Sequence, residues 1–178
     1  MEKGDSEAME LRNWFYEISM KEMYSIYKRL GVDFDYYTGE SYYTDKMPEI
    51  VDMLRDKGLL KQDDGAMLVD LEQYGMPPCL ILKRDGSTLY PTRDIAAAFY
   101  RKRTFDFDKA IYVTASPQNL HFAQWFKVIE LMGEDWAKDL IHVPFGMVSV
   151  MGSKMATREG NMLLLEDILN TSVDKVRA

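Results

Sequence analysis

Apolar residues recur at three- and four-residue spacing from Ser6 to Leu30 (Leu11, Trp14, Phe15, Ile18, Ile26, Tyr27, Leu30), which predicts a long helix stopped by Gly31. Trp14 and Phe15 are expected in the core. Val32-Asp33-Phe34-Asp35-Tyr36-Tyr37 then alternates apolar and acidic positions, the pattern of a strand with one wet face. A turn over Thr38 to Ser41 leads to a helix from about Met47 to Lys57, ended by Gly58. Two hairpin signals follow: Asp64-Gly65 between short apolar runs, and Asp85-Gly86 after Leu80-Ile81-Leu82. Pro77-Pro78 lies between them and bars a central strand there.

From Ser87 onward the pattern changes to strand, helix, strand, helix, strand. A helix runs from Thr92 to Arg103, with Thr92 as its N-cap and Asp94 in its first turn. The strand Ala110–Thr114, a helix from Asn119 to Met132 and the strand Leu140–Val143 come next. A loop around Gly152 and a last helix from Leu165 to Val176 complete the chain. This order is that of a parallel sheet with crossover helices. The predicted fold class is α/β: part of a Rossmann-type parallel sheet flanked by helices, with a β-hairpin-containing insertion ahead of it. All 178 residues are expected to form one domain, a fragment of a larger sheet.

Composition narrows the function classes. Hydrophobic residues make up 47% of the chain, enough for a core, and no apolar run approaches the roughly 18 residues that span a membrane. The net charge is −7, which argues against a freestanding nucleic-acid binder, because those carry basic patches. An acidic balance is compatible with a cationic substrate. A single cysteine, Cys79, cannot form an internal disulfide, and two histidines do not supply a zinc-type ligand cluster. Cys79 is expected as a small buried strand residue, and a reducing, cytoplasmic setting fits.

Three strand-to-helix junctions carry chemistry, and in a parallel sheet such strand ends share one edge, where ligands sit. The first holds Tyr90 and Asp94, the second Gln118 and His121, the third Lys154 and Arg158. Singly each has a plain reading: Asp94 complements a helix dipole, Gln118 starts a helix, His121 and His142 pack, and Gly152–Asn161 is a solvated turn. Together, a phenol, a carboxylate and an amide suit a cation bearing several N–H donors. The loop with two glycines, a lysine and an arginine suits phosphate oxygens. It lacks the spacing of a Walker A loop. The implied ligands are a cationic small molecule and a polyphosphate.

Leu89-Tyr90-Pro91-Thr92-Arg93-Asp94-Ile95-Ala96-Ala97-Ala98 resembles the tyrosine–X–Thr-Arg-Asp–X–Ala-Ala signature of arginyl-tRNA synthetases. Lys154-Met155-Ala156-Thr157-Arg158-Glu159-Gly160-Asn161 is similar to that family's version of the class I KMSKS loop. The likeness extends in order through Gly39-Glu40-Ser41-Tyr42-Tyr43, Pro77-Pro78-Cys79-Leu80, Leu120-His121-Phe122 and His142–Val148. It implies a class I catalytic domain that joins arginine to ATP, with Mg2+, as arginyl-adenylate and passes the arginyl group to tRNA(Arg). Carried over by position, it implies arginine-side-chain contacts for Tyr90, Asp94 and Gln118. It places Phe145, Gly146, Met147 and Val148 beside adenine, with His121 supporting. Lys154, Met155 and Arg158 belong to the phosphate-facing loop. Within that loop Ala156 replaces the usual serine, Thr157 stands where the general motif has its second lysine, and Glu159 departs from the common lysine. No HIGH-type ATP motif occurs, and the family's anticodon-binding helices are expected beyond residue 178. The chain is therefore expected to be a synthetase fragment of weak or no activity alone. The alternative is a truncated, non-catalytic module that binds arginine or nucleotide.

Overall fold

Hydrophobic spacing alone explains most of the elements seen in a computed structural model of the chain, which describes residues 6–147, 149–150, 153–154 and 164–177. The chain divides into two compact units, residues 1–37 with 155–178, and residues 38–154.

In the first unit, helix α1 spans Ser6–Leu30 as the periodicity predicts. It has no buried residue, however, and Trp14 and Phe15 are 55% and 59% exposed, contrary to the expected core positions. A helical stripe becomes core only where another apolar surface covers it, and the described residues of this unit supply none there. The predicted strand Val32–Tyr37 is also absent. A strand needs a partner for its backbone groups, and none is present among the described residues. Instead Val32 N–H donates to Tyr27 O at 2.9 Å, turning the chain back. Phe34 then lies edge-on to Tyr27 and Tyr37, with centroids 5.1 and 5.6 Å away.

The second unit holds the core. Met47, Ile50, Val51 and Leu54 of α2 (Met47–Asp56) are all buried, a repeat of one face, and Gly58 at φ +67° follows the helix. β1 (Leu60–Asp63) and β2 (Ala66–Val69) are joined by Asp64-Gly65. Both turn residues have positive φ, 44° and 78°, as a type I′ turn requires. β3 (Cys79–Leu82) pairs antiparallel with β2, with a bulge between Met67 and Leu68. Cys79 and Ile81 point inward while Leu80 faces out. At the second predicted hairpin, Gly86 takes φ +77°, but the return leg makes a single bridge, Leu82 to Thr88.

α3 (Tyr90–Phe105), β4 (Ala110–Ala115), α4 (Asn119–Leu131) and β5 (Leu140–Phe145) form the β–α–β part. β4 and β5 pair in parallel, from Ala110 opposite Leu140 to Ala115 opposite Phe145. The segment before α3 belongs to the antiparallel sheet, so the parallel sheet has two strands among the described residues. Buried residues of α2, β2, β3, α3 and α4 merge into one core around Trp125, Ile129, Ile81 and Leu54. Ala96 and Ala98 are among them, and their small side chains let the α3 backbone approach closely. Beyond β5, β6 (Ser149–Val150) and β7 (Ser153–Lys154) pair antiparallel. The last helix, α5 (Leu165–Arg177), lies in the first unit and buries no residue. No helix among the described residues is long and apolar enough to cross a membrane.

Candidate functional site

Helix α3 begins two residues earlier than its sequence suggests. Pro91 occupies the first turn, where its missing N–H costs nothing, and Leu89 stands at the N-cap without a side-chain bond. Thr92, expected as the cap, is fully buried and its hydroxyl donates to Ile81 O at 2.6 Å. The hydroxyl thus ties the helix start to β3 rather than capping it. Asp94 is consequently the fifth helical residue, and the first turn holds no acidic side chain. A dipole role for Asp94 weakens accordingly, since that interaction fades beyond the first turn.

Asp94 instead faces α4. Its Oδ2 lies 2.6 Å from His121 Nε2. Tyr90 is exposed at the start of α3, with the Arg93 guanidinium 5.7 Å from its ring centre. Gln118 ends the short 3-10 turn Ser116–Gln118 that follows β4, at the cap position of α4. Tyr90, Asp94, Gln118 and His121 line one cleft of 560 Å³, completed by residues of β4 such as Tyr112 and Thr114. Two of the three predicted junctions are thereby brought together, in a volume suited to a small molecule.

Other members of this cleft were given no role by the sequence. Glu40 enters from the segment before α2, and its Oε2 accepts a 2.6 Å hydrogen bond from Arg93 Nη1, across 53 residues of chain. Arg101, two turns beyond Asp94 on α3, lies 5.4 and 5.5 Å from the ring centres of Tyr43 and Tyr112. Burial pushes the Tyr112 phenol above its ordinary value, and Asp94 adds to the rise while Arg101 opposes it. Thr114 Oγ1 bonds His142 Nε2 at 2.8 Å, and the His142 ring stacks on Phe122 at 4.2 Å. His142 is therefore a packed histidine, as expected. Glu40 had been legible only as part of a longer motif.

The formal charges in the cleft are two carboxylates, Glu40 and Asp94, against two guanidinium groups, Arg93 and Arg101. Glu40 is committed to Arg93. Arg101 sits among aromatic faces. Asp94 is left as the acceptor that can meet a cation, next to a phenol and an amide.

The adenine-side segment follows the same sheet edge: Phe145 ends β5 opposite the end of β4, and Phe145 and Met147 are both exposed. Lys154 is placed by backbone pairing with Ser149. Val148, Met155 and Arg158 lie outside the described residues, as do the departures at Ala156, Thr157 and Glu159. No cluster of three or more His, Cys, Asp or Glu able to hold a metal occurs among the described residues.

A family model described as "tRNA synthetases class I (R), catalytic domain" matches residues 1–178. The chain belongs to this family of arginyl-tRNA synthetases. An arginine–tRNA ligase of Clostridioides difficile is 59% identical over 177 residues, covering 99% of this chain and 31% of the relative. One from Alkaliphilus metalliredigens is 57% identical with the same coverage, 99% and 31%. Among solved structures, arginyl-tRNA synthetase from Plasmodium falciparum superposes with a TM-score of 0.79 at 25% identity, over 98% of this chain and 29% of that one. The Thermus thermophilus arginyl-tRNA synthetase gives 0.62 at 16% identity over 75% of this chain and 28% of that one, a likeness of fold. This arginyl-tRNA synthetase family member thus spans about a third of the length of the relatives it matches.

Proposed function

We propose that the cleft between α3 and α4 is the arginine pocket of an arginine–tRNA ligase, and that this chain carries it together with the KMSKS-type loop of the catalytic domain. The observation that supports the reading is the convergence of Tyr90, Asp94 and Gln118 from two separate strand-to-helix junctions onto one cleft. A guanidinium is planar and presents several N–H donors in fixed directions. Asp94 supplies the charge and paired oxygens, Gln118 a carbonyl acceptor, and Tyr90 a phenol with an aromatic face. The reaction is ATP-dependent activation of arginine to arginyl-adenylate, then transfer to the 3′ end of tRNA(Arg).

Activation needs no protein nucleophile, because the substrate carboxylate attacks the α-phosphate and pyrophosphate leaves. The protein contributes positioning and charge stabilisation of an in-line displacement. Pocket contacts far from the reacting carboxylate supply that positioning. Phe145, Gly146, Met147 and Val148 form the adenine side, while Lys154, Met155 and Arg158 meet the phosphates. Mg2+ arrives with ATP as part of the substrate. With its one cysteine buried, the protein suits a reducing cytoplasm.

The test is arginine-dependent ATP–pyrophosphate exchange by the full-length gene product with tRNA(Arg) present, the condition for every exchange assay below. The reading predicts exchange with arginine and little with lysine. Arginine binding without exchange would favour the non-catalytic module, and no preference for arginine over lysine would refute the pocket.

A further inference from the structure

The geometry points to His121 as a positioning residue that sets the orientation of the Asp94 carboxylate, and so the preference for a guanidinium over an ammonium ion. This rests on the arginine-pocket reading and shifts His121 from the nucleotide side to the amino-acid side. The bond between His121 Nε2 and Asp94 Oδ2 is 2.6 Å long. As a carboxylate Asp94 can only accept, so Nε2–H donates. No other hydrogen bond of the Asp94 side chain is formed among the described residues, so Oδ1 is without a protein partner on a residue that lines the cleft.

Both ends of this bond are held firmly. Asp94 lies between Thr92, tied to Ile81 O at 2.6 Å, and the buried run Ile95 to Phe99. His121 packs edge-on against Phe122, with ring centres 5.5 Å apart, and Phe122 is itself stacked on His142. The charged groups around the cleft other than His121 are engaged elsewhere, Arg93 by Glu40 and Arg101 by the Tyr43 and Tyr112 rings, and the phenols of Tyr90 and Tyr112 make no hydrogen bond to Asp94 among the described residues. One oxygen is thus pinned and the carboxylate plane with it.

Orientation matters unequally to different cations. A guanidinium meets a carboxylate through a planar fork, so rotation of the carboxylate breaks the match. An ammonium ion is a compact point charge with rotatable donors and tolerates that rotation. Loss of the His121 bond should therefore weaken arginine more than lysine.

The test uses the full-length gene product with His121→Asn and His121→Gln. The asparagine amide is too short to reach Asp94, while the glutamine amide nitrogen occupies nearly the place of Nε2. In pyrophosphate exchange, His121→Asn should raise the KM for arginine about tenfold, a loss of about 1.4 kcal/mol, with the KM for ATP within about twofold. The arginine-to-lysine preference should fall in parallel, and His121→Gln should restore most of both. An equal rise in the ATP and arginine KM values, or no rescue by glutamine, would overturn the inference. Asp94→Asn separates the two levels. If it raises the arginine KM and His121→Asn does not, only the positioning role fails; if it too is silent, the pocket itself fails.

Discussion

Replacing Asp94 by asparagine isolates the charge from everything else the side chain does. Asparagine has the same size and retains an oxygen that can accept from His121 Nε2–H. Asp94 is the fifth residue of α3, beyond the first turn, so the helix loses no dipole complement. What disappears is the attraction for a cationic ligand. Two unit charges about 4 Å apart attract by about 4 kcal/mol at an effective dielectric of about 20. The Asp94 side chain is 38% exposed, so solvent screens part of this. Halving the figure leaves about 2 kcal/mol, roughly a thirtyfold rise in the KM for arginine. Glu40 cannot take over, because it is engaged by Arg93 at 2.6 Å. The assay is ATP–pyrophosphate exchange by the full-length gene product, with arginine and ATP varied in turn and the melting temperature measured alongside. The ATP KM should stay within about twofold and the melting temperature nearly unchanged. Exchange at near-normal arginine KM would refute the reasoning, as would a large drop in melting temperature.

Other parts of the account can be tested separately. Thr92→Val removes the shorter of two hydrogen bonds to Ile81 O, leaving that from Leu89 N–H at 3.3 Å; it should cost about 0.5–1.5 kcal/mol in urea denaturation, and a cost near zero would show the bond is dispensable. Trp125→Ala empties the centre of the core and should cost about 3–5 kcal/mol in the same assay, where a loss under about 1 kcal/mol would contradict the packing described. Burial raises the Cys79 thiol from 9.0 to about 12. An acid with a raised native pKa stabilises the fold fully below its unfolded value and loses that contribution as pH rises through 9 to 12, at up to about 1.4 kcal/mol per pH unit. Wild type should therefore lose stability faster than Cys79→Ala across that window; parallel curves would place the thiol in contact with solvent.

The sequence foretold best where local chemistry decides. The α2 stripe, the Asp64-Gly65 turn and the parallel β4–α4–β5 unit all follow from spacing and turn residues that act within a few positions. It misled where a partner surface decides. Trp14 and Phe15 carry a core-like period but lie exposed, and Val32–Tyr37 alternates like a strand without one to pair with. Thr92 looked like a cap because caps and buried hydroxyl staples use the same residue; only the position of β3 tells them apart. At the site, Tyr90, Asp94, Gln118 and His121 could be named from two strand-to-helix junctions, but only the second belongs to the parallel sheet; the first follows antiparallel β3 and meets it because α3 packs beside α4. Glu40 and Arg101 could not be given roles, since their partners are either 53 residues distant or aromatic rings on other elements.

A crystal structure of the full-length gene product with bound arginine tests the central claim most directly. The guanidinium is expected in the cleft between α3 and α4, with a nitrogen about 3 Å from Asp94 Oδ1 and further contacts to Tyr90 and Gln118. Arginine bound elsewhere, with this cleft holding only solvent, would contradict it.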